Sequence, residues 1–279
     1  MKIEGRIGFF GGGRMAEALI KGILQAGLFE AGRIVAIDPA EERRRLLTDQ
    51  YKVKAVDDPS ALADCEIVVL AVKPQVLPDL LRLNRSSFSH GQLVISIAAG
   101  VPLAVLESCL ADCDCRVIRV MPNTPALVME GASALCRGAL AGKEDLETAA
   151  AIFDAVGKSV MVGEAEMDAV TGLSGSGPAY VFSFIEALID GGVKVGLARD
   201  VAETLALQTV MGSVKLAMDT GAHPAELRAM VTSPGGTTIA GLHQMEKAGF
   251  QGIVMDAIEA ATERSRQLGQ LAAQRVENK

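Results

Sequence analysis

The order of apolar and polar positions divides the chain into two parts of different character. In the first, short apolar runs alternate with amphipathic stretches. Ile7–Phe10 reads as a strand, and a helical pattern runs from Met15 to Ala26. Arg33–Ile37 reads as a second strand, followed by a charged helix from Ala40 to about Gln50. Glu66–Val72 is a continuous apolar run, as expected of a parallel strand covered on both faces, and Leu93–Ile97 and Arg116–Val120 repeat the theme. Parallel neighbours need crossover connections, so strands alternating with helices imply a parallel, doubly wound sheet.

After about Val162 the strand signal stops. Pro178–Val195, Ala198–Ala217, Pro224–Met230, Thr238–Lys247 and Gly252–Leu268 all read as helices between Gly and Pro punctuation. Several are apolar around most of their circumference, as Tyr180–Ile189 is, and such a helix is buried on all sides. The expected organisation is an α/β domain over residues 1–163 and an all-α domain over residues 164–279, with the break between Val160 and Asp168. The helices carry more apolar surface than a bundle of about 115 residues can hide, which predicts pairing with a second copy.

Composition narrows the field. A chain of 279 residues is long enough for two ordinary cores. The net charge of −7 supplies no basic face for a nucleic acid, and no Lys/Arg cluster flanks an apolar stretch as a membrane anchor would. The only short basic run, Arg43-Arg44-Arg45, reads as a solvated helix face beside Glu41 and Glu42, although its place after the second strand gives it a second candidate role. The chain opens directly into a strand and not into a signal peptide. Cysteines stand at 65, 109, 113, 115 and 136, odd in number and scattered. Cys113 and Cys115 are too close for a useful loop and lack a second pair for zinc, so reduced thiols in a cytoplasmic protein, with no metal, are expected.

Gly11-Gly12-Gly13-Arg14-Met15-Ala16 follows the first strand and opens the first helix. It fits the G-x-G-x-x-A fingerprint of a Rossmann-type dinucleotide-binding turn. Gly11 allows the tight turn, Gly13 removes a side chain where a pyrophosphate approaches, and Ala16 lets helix and strand pack closely. Asp38 lies twenty-five residues after Gly13, near the end of the second strand. A carboxylate there binds the ribose hydroxyls of NAD and repels the extra phosphate of NADP. It also suits a helix N-cap before Pro39, and one aspartate can do both.

Three further segments place small residues, prolines and hydroxyls at strand ends: Ala71-Val72-Lys73-Pro74-Gln75, Ser96–Pro102, and Met121-Pro122-Asn123-Thr124-Pro125-Ala126. In an open parallel sheet the ligand crevice lies beyond those ends, so they are expected to converge on the nicotinamide end of the cofactor. Taken singly, each is also what a stiff connection looks like. In the helical part, Gly172–Tyr180 and Thr232–Ile239 are small, hydroxyl-rich turns leading into helix N-termini, where backbone N–H groups can hold a carboxylate without Arg. Ordinary capping is the alternative for each alone.

Together these segments are familiar. Gly8–Ala16, Ala71–Pro74, Ser96–Gly100, Arg119–Ala126, Ser174–Tyr180 and Ser233–Thr238 occur in the order and spacing of pyrroline-5-carboxylate reductases, and the chain resembles that family over nearly its whole length. Met-Pro-Asn-Thr-Pro and Ser-Pro-Gly-Gly-Thr-Thr are its most specific segments. Arg14 departs from the Asn usual in the glycine turn. Asp38-Pro39 stands where many members carry a Ser-Asn-Arg-like run for NADPH, which leaves NADH or NADPH open, with Asp38 hinting at NADH.

The resemblance implies reduction of 1-pyrroline-5-carboxylate to L-proline, the last step of proline biosynthesis, by hydride from NAD(P)H. Thr238 matches the residue whose hydroxyl meets the ring nitrogen. Asn123, Ser174, Gly175, Ser176, Ser233, Gly235, Gly236 and Thr237 match substrate-binding positions. Phe10, Gly11, Gly12, Gly13, Arg14, Met15, Asp38, Asp58, Ala71, Val72, Lys73, Pro74, Ala98 and Ala99 match cofactor-binding positions. It also implies an interlocked helical homodimer, often stacked into rings, with the Ser233–Thr238 loop of one chain over the nicotinamide of its partner.

A protonated imine already accepts hydride well, so a dedicated strong acid is dispensable, and the three histidines at 90, 223 and 243 share no motif. The nearest rival is a 3-hydroxyacid dehydrogenase, which needs a lysine on the first long helix of its second domain. Here that helix has none before Lys194. A cofactor-sensing protein without turnover is the non-enzymatic rival, and the intact substrate-side turns argue against it.

Overall fold

The computed structural model describes residues 2–277. Eight strands form one sheet: β1 (Ile7–Phe10), β2 (Ile34–Ile37), β3 (Lys54–Val56), β4 (Ile67–Leu70), β5 (Leu93–Ser96), β6 (Arg116–Met121), β7 (Gly131–Arg137) and β8 (Gly157–Met161). Their spatial order is β3-β2-β1-β4-β5-β6-β7-β8. The order reverses between β1 and β4, which is where a doubly wound sheet opens its ligand crevice.

The apolar runs work because the two faces of the sheet are both covered. Ile7, Phe9, Ile67, Val69, Ile118 and Val120 point into one core. Their neighbours Phe10, Val68, Leu70 and Val117 point into the other. The first core is closed by α1 (Arg14–Gln25) and α5 (Lys143–Asp154), the second by α3 (Leu77–Leu83) and α4 (Leu103–Cys109). The charged helix α2 (Glu41–Tyr51) buries only Leu47 completely.

The sheet is not wholly parallel, as the sequence pattern implied. β6 and β7 pair antiparallel, whereas β7 and β8 return to parallel. The link from β6 to β7 holds only the 3-10 turn Thr124–Val128, too short for a crossover helix, so the strand must double back. β3, β7 and β8 were not expected. β3 is a three-residue edge strand, β8 is partly exposed, and β7 reads Gly-Ala-Ser-Ala-Leu-Cys-Arg with no β-branched run.

By internal contacts the chain forms two compact units: residues up to Ser176 together with those from Glu259 onward, and Gly177–Ile258. The second contains α7 (Gly177–Lys194), α8 (Arg199–Thr220), α9 (Pro224–Met230), α10 (Thr237–Lys247) and the start of α11 (Phe250–Glu277). α7 crosses α8 closely: a methyl on Gly192 would stand 3.0 Å from Cβ of Ala202. Phe184 and Phe250 hold their ring centroids 6.1 Å apart. Yet Ala202 and Ala206 are its only buried apolar side chains, while Phe182, Met211, Met218 and Met255 are each more than half exposed. Hiding one such large side chain stabilises by about 1.5–3 kcal/mol, so this unit has most of its burial still to gain from another surface.

Candidate active site

The three glycines of the first turn differ in what they do. Gly11 has φ +109°, and a methyl there would lie 2.5 Å from the carbonyl oxygen of Ala71, at the end of the neighbouring β4. Only glycine fits. Gly13 has an ordinary extended backbone (φ −68°, ψ −177°), and a methyl there would meet no atom within 4 Å. Nothing in the protein itself demands glycine at that point. An open place at the N-terminus of the twelve-residue α1 fits a dinucleotide pyrophosphate, which the first-turn N–H groups and helix dipole would hold. Ala16 is fully buried against the sheet, as a close helix–strand contact requires.

Asp38 braces this turn. Its Oδ2 accepts from the Gly12 N–H at 2.8 Å and its Oδ1 from the Ala40 N–H at 2.9 Å. It is not the cap of α2, whose N-cap is Ala40, two residues further along. Arg43 and Arg44 correct the solvated-face reading. Arg43 donates to the Gly12 carbonyl at 2.8 Å and pairs with Glu17 at 2.7 Å, and the Tyr51 hydroxyl donates to the other oxygen of Glu17 at 3.1 Å. Arg44 donates to the carbonyls of Asp38 and Pro39, both at 2.8 Å. Only Arg45 follows the expectation, in an exposed pair with Glu41. The brace was invisible in the sequence because Glu17, Arg43 and Tyr51 are far apart along the chain. A carboxylate on the first turn of α1 was the one available signal.

Phe10 is buried and ends β1, with its carbonyl accepting from the Ala71 N–H at 2.8 Å. Arg14 and Lys73 are exposed, and Met15, Ala71, Val72, Pro74 and Ala99 are half-buried. Ala98 is buried, its N–H directed to the Ser96 hydroxyl at 3.4 Å. Phe10 at the end of β1, and Gly11, Ala71 and Ala98 just past β1, β4 and β5, therefore lie at the C-terminal ends of adjacent strands. Asp58 follows the edge strand β3 and caps the next turn, accepting from the Ser60 hydroxyl and N–H. Those bonds, the hydroxyl first, hold its carboxyl below the usual carboxylate range.

On the expected substrate side, Asn123 ties two segments together. Its Nδ2 donates to the carbonyl and hydroxyl of Ser174, both at 3.3 Å, and its Oδ1 accepts from the Ala132 N–H at 2.9 Å. Gly172–Tyr180 is not the free turn expected. α6 (Met167–Val170) runs into a π-helical turn over Thr171–Gly175, and the Ser176 N–H donates back to Thr171. The glycines loosen the helix by one residue instead of ending it, and a methyl on Gly175 would strike the Met121 side chain.

In the other compact unit, Gly235 has φ +68° and Gly236 is the N-cap of α10. The Ser233 hydroxyl crowds the face of Gly236 where a side chain would stand. Thr237 and Thr238 form the first turn of an eleven-residue helix, with Thr238 half-buried and Ser233 exposed.

The histidines are all exposed. His90 pairs with Asp114 at 2.8 Å, and His223 caps α9. The five cysteines are free and buried. Burial pushes the thiols of Cys65 and Cys136 up to about 11 and that of Cys115 up to about 12. Among the described residues no group of His, Cys, Asp and Glu could hold a metal ion, and no helix is long and apolar enough to cross a membrane.

A glycine turn at the switch point of such a sheet, followed by helices short of a core, defines a nicotinamide-dependent oxidoreductase with a dimerisation domain. Family models agree. Residues 6–100 match the family described as NADP oxidoreductase, coenzyme F420-dependent, and residues 164–268 match pyrroline-5-carboxylate reductase dimerisation. The chain is 47% identical to a pyrroline-5-carboxylate reductase of Methanosarcina acetivorans, covering 95% of this chain and 98% of that one. It is 43% identical to the one from Arabidopsis thaliana, covering 95% and 96%. Among solved structures, a pyrroline-5-carboxylate reductase from Coxiella burnetii superposes with a TM-score of 0.88 at 33% identity, covering 95% and 98%. The pyrroline carboxylate reductase of Plasmodium falciparum, solved with NADP bound, gives 0.84 at 35% identity, covering 96% and 100%. The chain belongs to the pyrroline-5-carboxylate reductase family, and it self-associates through its helical domain.

Proposed function

We infer that the chain reduces the C=N bond of 1-pyrroline-5-carboxylate to give L-proline, with NADPH or NADH as reductant, as the last step of proline biosynthesis. The observation that carries this is the open position at Gly13, a cradle that a side chain would fill, at the N-terminus of α1. When bound, the cofactor supplies the hydride. The residues of the chain orient and bind. The first turn of α1 holds the pyrophosphate, Asp38 stands at the ribose side, and the loops around Lys73 and Ala98–Ala99 flank the nicotinamide end. The first-turn N–H groups of Thr237 and Thr238 take the substrate carboxylate beside Gly236, and the Thr238 hydroxyl oxygen accepts from the protonated ring nitrogen. Asn123 and the Ser174–Ser176 segment line the same substrate.

The assignment of residues 1–163 to the cofactor and 164–279 to substrate and dimerisation is part of this reading. So are a homodimer, its stacking into a ring, and a complete site that takes its cofactor half from one protomer and its substrate half from the partner. A cytoplasmic setting accords with five unpaired thiols. The test follows cofactor absorbance. Purified protein should oxidise NADH or NADPH when the pyrroline carboxylate is added, and should not oxidise 3-hydroxyisobutyrate-type alcohols in reverse. Turnover of the alcohol but not the imine overturns the reading.

A further inference from the structure

The last part of α11 does more than extend the helical domain. From Glu259 onward it belongs to the compact unit that contains the sheet. It is anchored there by Ser265, which is buried and donates to Oδ1 of Asp168 at 2.6 Å. One turn further on stands Gly269, in the interior of a 28-residue helix, where glycine costs about 1 kcal/mol relative to alanine. At this point the helix packs on the loop after β5 at van der Waals distance. A methyl on Gly269 would lie 3.4 Å from both the Gly100 carbonyl oxygen and Cγ of Pro102, and one on Gly100 would lie 3.3 Å from Cβ of Leu268.

Beyond this contact lies a cavity of about 190 Å³, with Leu268, Leu271 and Arg275 of the helix on one wall and Pro74, Gln75 and Ala99 on the other. The Arg275 guanidinium spans it to the Gln75 carbonyl at 3.4 Å. Both loops that the helix touches, after β4 and after β5, are those assigned above to the cofactor. We propose that the end of α11 is a positioning element for cofactor binding, with Gly269 setting how closely the helix supports the Ala98–Pro102 loop. The inference rests on the reading of Ala98 and Ala99 as cofactor-binding residues.

The experiment measures dissociation constants for NADPH and NADH by fluorescence titration of the full-length protein, alongside KM for the pyrroline carboxylate. Gly269→Ala adds a methyl that fits at 3.4 Å, so it should raise thermal stability and leave cofactor affinity unchanged. Gly269→Leu should push the loop away and weaken both cofactors by roughly tenfold or more, with substrate KM nearly constant. Ala99→Leu, made in parallel, tests the loop itself and should weaken cofactor binding directly. Loss of affinity in Ala99→Leu but not in Gly269→Leu overturns the positioning role alone. Unchanged affinity in both overturns the assignment of the loop to the cofactor. Should Gly269→Leu fail to fold, Leu268→Ala strips the side chain beyond Cβ from the cavity wall without crowding. A severalfold weaker cofactor supports the proposal there, and wild-type affinity overturns it.

Discussion

The Gly12 N–H and the Asp38 carboxylate meet at 2.8 Å, so the glycine turn is fastened to the end of the second strand by the side chain proposed above for the ribose side. The other Asp38 oxygen is taken by Ala40, and Arg43 and Arg44 are committed to backbone carbonyls nearby. Removing the carboxylate takes away the charge that would repel an extra phosphate. Asp38→Ser should therefore shift preference toward NADPH by roughly one to two orders of magnitude, about 1.4 kcal/mol for each. It should also weaken both cofactors somewhat, because the turn loses its tether. An unchanged NADH/NADPH ratio of kcat/KM would reduce Asp38 to a brace.

Gly11 and Gly13 should part company under the same substitution. Gly11→Ala forces a methyl into the Ala71 carbonyl at φ +109°, so the protein should lose roughly 2 kcal/mol or more of stability. Gly13→Ala meets no protein atom and keeps an ordinary backbone, so it should melt like wild type while binding cofactor at least tenfold more weakly. Thermal denaturation and fluorescence titration of both variants check this. Wild-type cofactor affinity in Gly13→Ala would remove the pyrophosphate from that site.

Thr238→Val keeps shape and removes one hydroxyl on the first turn of α10. Folding and cofactor binding should survive, and kcat/KM for the pyrroline carboxylate should fall by roughly ten- to a hundredfold. Wild-type kinetics would leave position and charge, and not the hydroxyl, as the source of the effect.

Co-folding Gly13→Asp with Thr238→Arg addresses the assembly. A site shared between protomers predicts that mixed dimers regain one working site each, built from the two unmutated halves. Freely mixing dimers that stay inactive would confine each site to a single chain.

The buried thiols make a prediction with a definite sign. Cys65, Cys115 and Cys136 titrate at about 11, 12 and 11 in the fold, against an ordinary 9.0. Below about pH 9 both folded and unfolded chains keep these protons, and stability is full. Above it the unfolded chain releases them first, so the urea midpoint should fall as pH rises toward about 11. At about pH 8 the native thiols should resist alkylation and become reactive only in denaturant. Rapid labelling of the native protein would contradict their burial.

The parallel strands were legible because strands buried on both faces leave an unbroken apolar signature, as Ile67–Leu70 does. The doubling back at β7 was not, since a strand of Gly, Ala, Ser and Cys gives no propensity signal and only the link length decides its direction. Local turns were readable: Gly11 takes the tight turn after β1, and Gly13 and Gly236 open α1 and α10. Contacts made across long separations were not. The hold of Arg43 on Gly12 and that of Asn123 on Ser174 span 31 and 51 residues, and the π-helical turn at Thr171–Gly175 looks in sequence like any glycine-rich loop.

Because Ala202 and Ala206 are the only apolar side chains that Gly177–Ile258 buries fully, association adds burial that this unit lacks alone, and its stability should follow mass action. Dilution should then lower its resistance to unfolding, so that the abundance of the protein becomes one of the determinants of its own persistence.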